Sequence, residues 1–349
     1  MSRGRAWVLG ATGQVGRAAV DALTRDGWEV TAASRRGGDP GGRPGETRTI
    51  AVDRDEEGAL EQALGDGCDL LVDVVAFGAP HARQLTALSG RVGSAVVVST
   101  GALYTDARGR GFDTQGEPDG APVYPVPIPE SQPTVPPGDG TYASRKAELE
   151  RTLLDAGADL PVTLLRAGAI HGPYSRSPRE LYFVKRLLDG RRRRVLAFGG
   201  TSVFHPAHVA NLAELVRLAA LRPGSRVLNA ADPDAPSVAE IGAAIDEVLG
   251  TDTETVLMPG PPGPDGVGDT PWSIEHPVVY DMSAAERELG YRAVTGYAGS
   301  LPATVSGLVG ELEGRDWREA FPDLHRAYGP GLFDYAAEDA WLKRHDRRG

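Results

Sequence analysis

Two residues four apart, in Tyr142-Ala-Ser-Arg-Lys146, are the strongest candidates for chemistry in this chain. At helical spacing both side chains leave the same face. An ammonium beside a phenol stabilises phenolate, so Tyr142 is expected to have a lowered pKa and to give or take a proton near neutrality. A second hydroxyl is needed to hold the reacting oxygen. Thr100, at the end of Ala95-Val-Val-Val-Ser99-Thr100, is where a strand would deliver one. A third stretch, Arg5-Ala-Trp-Val-Leu-Gly10-Ala-Thr12-Gly13-Gln14-Val15-Gly16-Arg17, is built for phosphate. Gly10 permits a tight turn after a strand, Gly13 lets backbone approach a pyrophosphate, and Gly16 lets the following helix lie close to the strand. The helix N-terminus then offers free N–H groups and a positive dipole end.

Alternating apolar strands and amphipathic helices must position these groups. Strands are expected at Arg5–Leu9, Glu29–Ala33, Arg48–Val52, Asp69–Phe77 (ending at Gly78), Ala95–Ser99 and Val162–Arg166, with helices after the glycine turn, over about 55–65, from His81 to Leu88 and from Tyr142. That rhythm predicts an α/β fold, a Rossmann-type doubly wound parallel sheet with ligands at the carboxyl ends of its strands. The residue ending the second strand meets the adenosine ribose in such folds. No carboxylate stands there, and Ser34, Arg35 and Arg36 could hold a 2′-phosphate, which favours NADP(H) over NAD(H). Residues 37–47 read as a glycine- and proline-rich loop. Residues 105–140 have little periodicity and read either as a lid over the substrate or as a mobile surface loop. Capping boxes are expected at Ser177…Glu180, with the helix ending at Gly190, and at Ser237…Glu240 and Ser283…Glu286. The run Arg191–Arg194 reads as an exposed turn that could attract an anionic substrate.

Composition excludes several classes. The chain has 349 residues, 41% hydrophobic and 24% charged, with a net charge of −11. That balance repels nucleic acid and anionic membranes, so neither is expected as a partner. No apolar run approaches a membrane span and no signal-peptide pattern is present. The single cysteine, Cys68, excludes an internal disulfide framework and fits the cytoplasm. His171, His205 and His208 match no standard metal-ligand spacing, so no metal site is expected; they read as packed or hydrogen-bonding side chains, with His171 the one that touches substrate.

The residues quoted so far carry a resemblance. Gly10-x-x-Gly13-x-x-Gly16, Ser99-Thr100-x-x-x-Tyr104, Tyr142-x-x-x-Lys146, Leu165-Arg166…Gly172-Pro173, His208-Val209 and Leu289-Gly290-Tyr291 together resemble the extended short-chain dehydrogenase/reductase superfamily, in its NAD(P)-dependent epimerase/dehydratase-like branch. The resemblance implies a Rossmann domain over 1–172, to which about 200–230 returns, and a smaller C-terminal α+β substrate domain over most of 173–349. It implies Thr100, Tyr142 and Lys146 as catalytic residues. Thr12, Gln14 and Val15 join the three glycines at the cofactor; Val52 and Asp53 match the adenine contacts. Ala76, Phe77 and Gly78 match the loop beside the cofactor, Ser99 a further cofactor residue, and Ala167 to Ile170 approach the nicotinamide carboxamide. Gly101, Ala102, Tyr104, His171, Phe204 and His205 are the implied substrate neighbours. Homodimers through the helices around Tyr142 are common in the resembled superfamily.

The departures bear on substrate. Gly101 and Ala102 stand where sugar-nucleotide 4,6-dehydratases carry an Asp-Glu pair. Ala169 replaces the asparagine that touches a nucleotide diphosphate, Phe204 the arginine before His-Val, and Asn211 the usual aspartate. The sequence therefore reads as an NADP(H)-dependent oxidoreductase, a ketoreductase or dehydrogenase acting on a carbonyl or secondary alcohol of a small molecule, sugar-derived or a specialised metabolite. Lys146 would hold a ribose hydroxyl while Tyr142 moves the proton. The alternatives are a sugar or sugar-nucleotide epimerase using the same three residues, and a non-catalytic cofactor-binding regulator or nucleic-acid-binding relative.

Overall fold

The computed structural model describes residues 2–40, 47–157, 159–263 and 265–347. Residues 41–46 of the expected 37–47 loop lie outside the described residues. In chain order the elements are β1 (Arg5–Leu9), α1 (Gln14–Arg25), β2 (Glu29–Ser34), β3 (Thr47–Ala51), α2 (Ala59–Leu64), β4 (Cys68–Asp73), α3 (Ala79–Thr86) and β5 (Val92–Thr100), then α4 (Tyr142–Asp155) and β6 (Val162–Ala167). The chain continues through β7 (Ala169–His171), α5 (Leu181–Leu188), β8 (Arg193–Leu196), β9 (Pro206–His208), α6 (Val209–Leu221) and β10 (Arg226–Ala230). Last come α7 (Val238–Leu249), β11 (Glu254–Leu257), α8 (Ser283–Leu289), α9 (Tyr297–Leu312), α10 (Trp317–Ala320), α11 (Pro322–Tyr328) and α12 (Tyr335–His345). No helix among the described residues is long and apolar enough to cross a membrane.

The chain divides into two compact units, one of residues 1–170, 207–231 and 280–294, the other of 171–206, 232–279 and 295–349. The first is a seven-stranded parallel sheet in the order β10-β6-β5-β4-β1-β2-β3. Side chains alternate across it. On β1, Ala6 and Val8 enter the core under α1, α6 and α8, whereas Trp7 and Leu9 enter the core under α2, α3 and α4. Both faces are covered, as a parallel sheet requires. The strand order reverses at β1, and the glycine turn leaves from that point, where such sheets open a crevice.

β4 stops at Asp73, not at Phe77 as expected. Asp73, fully buried, accepts the Val75 N–H on Oδ1 at 3.0 Å and ion-pairs through Oδ2 with Arg54. The side chain thereby takes a donor that a strand would have used, and the backbone turns. Residues 105–140 are ordered and not a mobile loop. Ile128 is fully buried, the Tyr124 hydroxyl donates to Tyr104 O at 2.9 Å, and Asn229 Nδ2 donates to Ile128 O at 2.9 Å. At the segment's start Asp106 is almost fully buried. Burial pushes its pKa up, but hydrogen bonds from the backbone of Val123, Arg110 and Arg108 and from the Arg110 side chain hold it well below the usual carboxylate range. The irregular sequence is ordered by side chain–backbone bonds, which carry no periodic signature.

The second unit is mainly helical, with β8 and β11 paired in parallel from Arg193↔Glu254 to Leu196↔Leu257. The Ser237/Glu240 capping box forms at α7. The other two expected boxes do not. Glu180 is 1% exposed and its carboxylate accepts from the Tyr297 hydroxyl at 3.4 Å, so it cannot reach back to Ser177, and α5 begins at Leu181. In the first unit Ser283 is the first helical residue of α8, its N–H bonded to Asp281 Oδ1 at 2.9 Å, and that helix ends at Gly290.

Candidate active site

The glycine turn has the geometry its spacing implies. Gly10 has φ +81°, and a Cβ there would stand 2.5 Å from Val75 Cγ1. A Cβ on Gly16 would stand 2.2 Å from Gly10 O, so α1 packs directly on the turn. Gly13 is the N-cap of α1, without a side-chain cap or an acidic residue in the first turn. The first-turn N–H groups are thus left to an external acceptor, and Gln14 Oε1 is buried without a hydrogen-bond partner among the described residues. These features fit a dinucleotide diphosphate. Val15 contributes backbone only, its side chain lying in the core. Thr12 O accepts from Arg17 Nε at 3.0 Å.

The turn after β2 adjoins this site, since a Cβ on Gly38 would meet Thr12 Cγ2 at 3.4 Å. Ser34 O accepts from Val52 N at 2.9 Å, and Arg35 and Arg36 are exposed, with no ion pair among the described residues. Asp53 Oδ1 accepts the Asp55 N–H at 3.1 Å, and Asp55 in turn pairs with His81 at 3.0 Å. Arg54, almost fully buried, donates from Nε to Gln84 Oε1 at 3.0 Å besides pairing with Asp73. The sequence reading missed this pair. Its signal was present: a lone carboxylate inside an apolar run must find a buried partner.

α4 starts where it does because Thr141 and Ser144 form a capping box, Ser144 N to Thr141 Oγ1 at 3.1 Å and Thr141 N to Ser144 Oγ at 2.8 Å. Tyr142, its first residue, is 42% exposed, has the Thr100 hydroxyl interacting with its phenol and faces the Phe77 ring at 5.6 Å. Gly78, extended, caps α3 just beyond. Lys146 is 6% exposed, and its Nζ donates to Ala76 O at 2.7 Å and Val98 O at 3.0 Å. Burial brings its pKa down to about 8, against the opposing pull of Asp73 and Glu150. The expected lowering of Tyr142 is corrected. Desolvation raises it above the ordinary phenol value and the Thr100 hydroxyl only partly offsets this; the Lys146 ammonium, 6.0 Å from the ring centre, is directed at two carbonyls.

Several expected contacts belong to the interior instead. Ser99 donates to Glu150 at 2.5 Å and is 3% exposed, so it is turned away from a cofactor. Tyr104 is fully buried, donates to Asn229 Oδ1 at 2.7 Å, and is pushed by burial to about 12; it is not placed to touch substrate. Gly101 has no room for a side chain, since a Cβ would stand 2.2 Å from the Tyr280 hydroxyl. The acid of a dehydratase pair has no space there. Ala102 N donates to Thr100 Oγ1 at 3.1 Å, which orients that hydroxyl. Ala167 ends β6, buried, and Ile170 packs half-buried on the core.

In the second unit His171 is 1% exposed, with Nε2 2.7 Å from Asp232 Oδ2 and its ring 4.9 Å from that of Tyr297. His205 Nε2 lies 2.8 Å from Asp232 O, and burial lowers its pKa. Both are interior side chains with partners, which corrects their placement at the substrate. Phe204 is half-buried under the Arg179 guanidinium at 5.2 Å. In the first unit His208 Nδ1 accepts from Ala210 N at 3.2 Å and caps α6. The arginine run is no free patch. Arg191 pairs with Asp339 at 2.5 Å, Arg193 with Asp346 at 2.9 Å and Arg194, buried, with Asp246 at 2.8 Å.

With this geometry in place, comparisons bear on kinship. The pattern of the NAD dependent epimerase/dehydratase family matches residues 6–231. Among solved structures, the chain is similar to UDP-N-acetylglucosamine 4-epimerase from Methanobrevibacter ruminantium M1, in complex with UDP-N-acetylmuramic acid (19% identity, TM-score 0.68, covering 89% of this chain and 100% of that one). It is similar to UDP-glucose 4-epimerase of Thermus thermophilus, in complex with NAD (21%, 0.65, 88% and 99%). It is also similar to dTDP-glucose 4,6-dehydratase of Bacillus anthracis str. Ames, in complex with NAD (17%, 0.64, 89% and 97%). At these identities the likeness is one of fold. No curated protein matches the chain in sequence.

Proposed function

Because the chain belongs to the NAD dependent epimerase/dehydratase family, extended short-chain dehydrogenase/reductase enzymes, we propose that it moves hydride at a secondary carbinol or carbonyl of a small molecule. The observation that carries this is the hydroxyl pair Thr100–Tyr142 with Lys146 buried one turn along α4. A bound nicotinamide dinucleotide supplies the hydride acceptor and donor. The chain's own residues do the rest. The first turn of α1 binds the diphosphate and Lys146 a ribose hydroxyl. Thr100 holds the substrate oxygen, and Tyr142 takes its proton on oxidation and returns it on reduction.

The leading reading is an epimerase, which oxidises a sugar carbinol and reduces it on the other face. Its support is the family and the sugar-nucleotide 4-epimerases among the structures of like fold. A net ketoreductase using NADP(H) is the second reading. It is favoured by Arg35 and Arg36, exposed, without an ion pair among the described residues and suited to a 2′-phosphate, and by a Tyr142 held protonated and so ready to donate. Turnover with catalytic amounts of cofactor would support the epimerase; consumption of one NADPH per product would support the reductase. Tyr142→Phe is expected to lower either turnover by about 10²–10⁴-fold. Undiminished turnover in that variant would end the acid/base role of Tyr142, and cofactor binding without any turnover in the unsubstituted protein would restore a non-catalytic cofactor binder.

A further inference from the structure

Three consecutive residues at the end of β5 are each gripped by α4. Val98 O accepts from Lys146 Nζ at 3.0 Å and Ser99 Oγ donates to Glu150 Oε1 at 2.5 Å, while the Thr100 hydroxyl interacts with the Tyr142 phenol. The helical residues are spaced by four, so they form one stripe along α4. A slide or rotation of α4 against β5 would break both bonds and move Tyr142 relative to Thr100 together. We infer that Glu150 and Ser99 are positioning residues that fix the Thr100–Tyr142 pair, an inference that rests on the proposed role of that pair.

Tyr142 cannot hold itself. It is the first residue of its helix, its ring is exposed, and one tilted ring contact with Phe77 is its aromatic neighbour. Glu150 lies two turns deeper and is 4% exposed. Its carboxylate is fixed from a second strand by Arg166 of β6, with Nη2 at 2.7 Å from Oε2 and Nε at 3.2 and 3.1 Å from the two oxygens. Arg166 lies against the Tyr104 ring at 4.8 Å and donates to Glu130 O at 3.2 Å. Tyr104 is tied to Asn229, whose backbone N–H donates to Glu130 Oε1 at 2.9 Å. A buried ion pair adds little net stability over an apolar pair of the same size. What this one supplies is register: it clamps α4 to β5 and β6 at the level of the proton-transfer pair.

Tyrosine labelled with 13C at ring Cζ reads the pair without any substrate, and the Tyr142 resonance is the one missing in Tyr142→Phe. Ser99→Ala leaves the Glu150–Arg166 pair intact and so is expected to fold. It should shift that resonance and lower the Tyr142 ionisation constant about three- to tenfold, the size of one lost hydrogen bond. Thr100→Val should do at least as much, and Ser99→Thr should restore the native value. Glu150→Gln should act in the same direction as Ser99→Ala. Thr100→Val shifting Tyr142 while Ser99→Ala lowers only the melting temperature would overturn the positioning role. No shift in Thr100→Val would overturn both that role and the proposed site. A shift in every variant alongside absent cofactor-dependent turnover would support the positioning role and sink the enzymatic reading alone.

Discussion

Two clusters of cations look alike in the sequence and differ in what their charge is used for. Three of the four arginines of the Arg191–Arg194 run in the second unit are committed to carboxylates: Arg194 to Asp246, Arg193 to Glu254 and Asp346, Arg191 to Glu338 and Asp339. In the first unit, Arg35 and Arg36 carry exposed guanidiniums without an ion pair among the described residues, and the hydrogen bonds of Lys146 go to two backbone carbonyls. Charge already neutralised by the protein holds the fold together. The exposed pair at the end of β2, beside the glycine turn, is the charge that the proposal assigns to a ligand. A run of four arginines therefore says less about binding than a pair at the end of a strand.

The largest effect that could break this contrast is on stability. Arg194→Met leaves Asp246 buried and unpaired, and should cost about 3–5 kcal/mol in denaturant unfolding, with cofactor affinity unchanged. Affinity lost at full stability would place the run among the ligand-binding cations instead. Next comes Lys146, whose pKa is near 8 against an ordinary 10.5. Between those values the unfolded chain keeps a proton that the folded one has released, so the cost of burying this lysine is felt in full below about 8 and eases as pH rises towards the ordinary lysine value; stability therefore rises with pH through the window. Ligand binding runs the other way. If only the ammonium holds the ribose, affinity for the reduced dinucleotide should fall about tenfold from pH 7 to pH 9, and Lys146→Met should flatten the profile. The smallest effect belongs to Arg192, exposed, whose side chain among the described residues bonds only the neighbouring Arg191 carbonyl. Arg192→Ala should change stability by less than about 0.5 kcal/mol; a larger change would mean that the run acts as one unit.

What was legible in the sequence was local. The β1–turn–α1 unit, the Tyr142/Lys146 spacing and the alternation of strands and helices rest on residues within a few positions of each other, where glycine sterics and helical periodicity operate. What was not legible rests on partners far along the chain. Asp73 is buried at the end of β4 against Arg54, Glu180 abandons its capping box for Tyr297, and Arg194 finds Asp246. Tyr104, His171 and His205 sit near motif residues in sequence, yet Asn229 and Asp232 draw them inward. Spacing can identify a residue's type of chemistry; which way the side chain turns is decided by its distant partner.

The most direct test is a fluorescence titration of the protein and of its Arg35→Ala/Arg36→Ala variant with NADPH and NADH. The expected result is binding of both to the wild type, with NADPH tighter by about tenfold, the worth of a charge-assisted hydrogen bond, and loss of that advantage in the variant. Binding of neither nucleotide would contradict the central claim that the β1–α1 turn and Lys146 form a nicotinamide site.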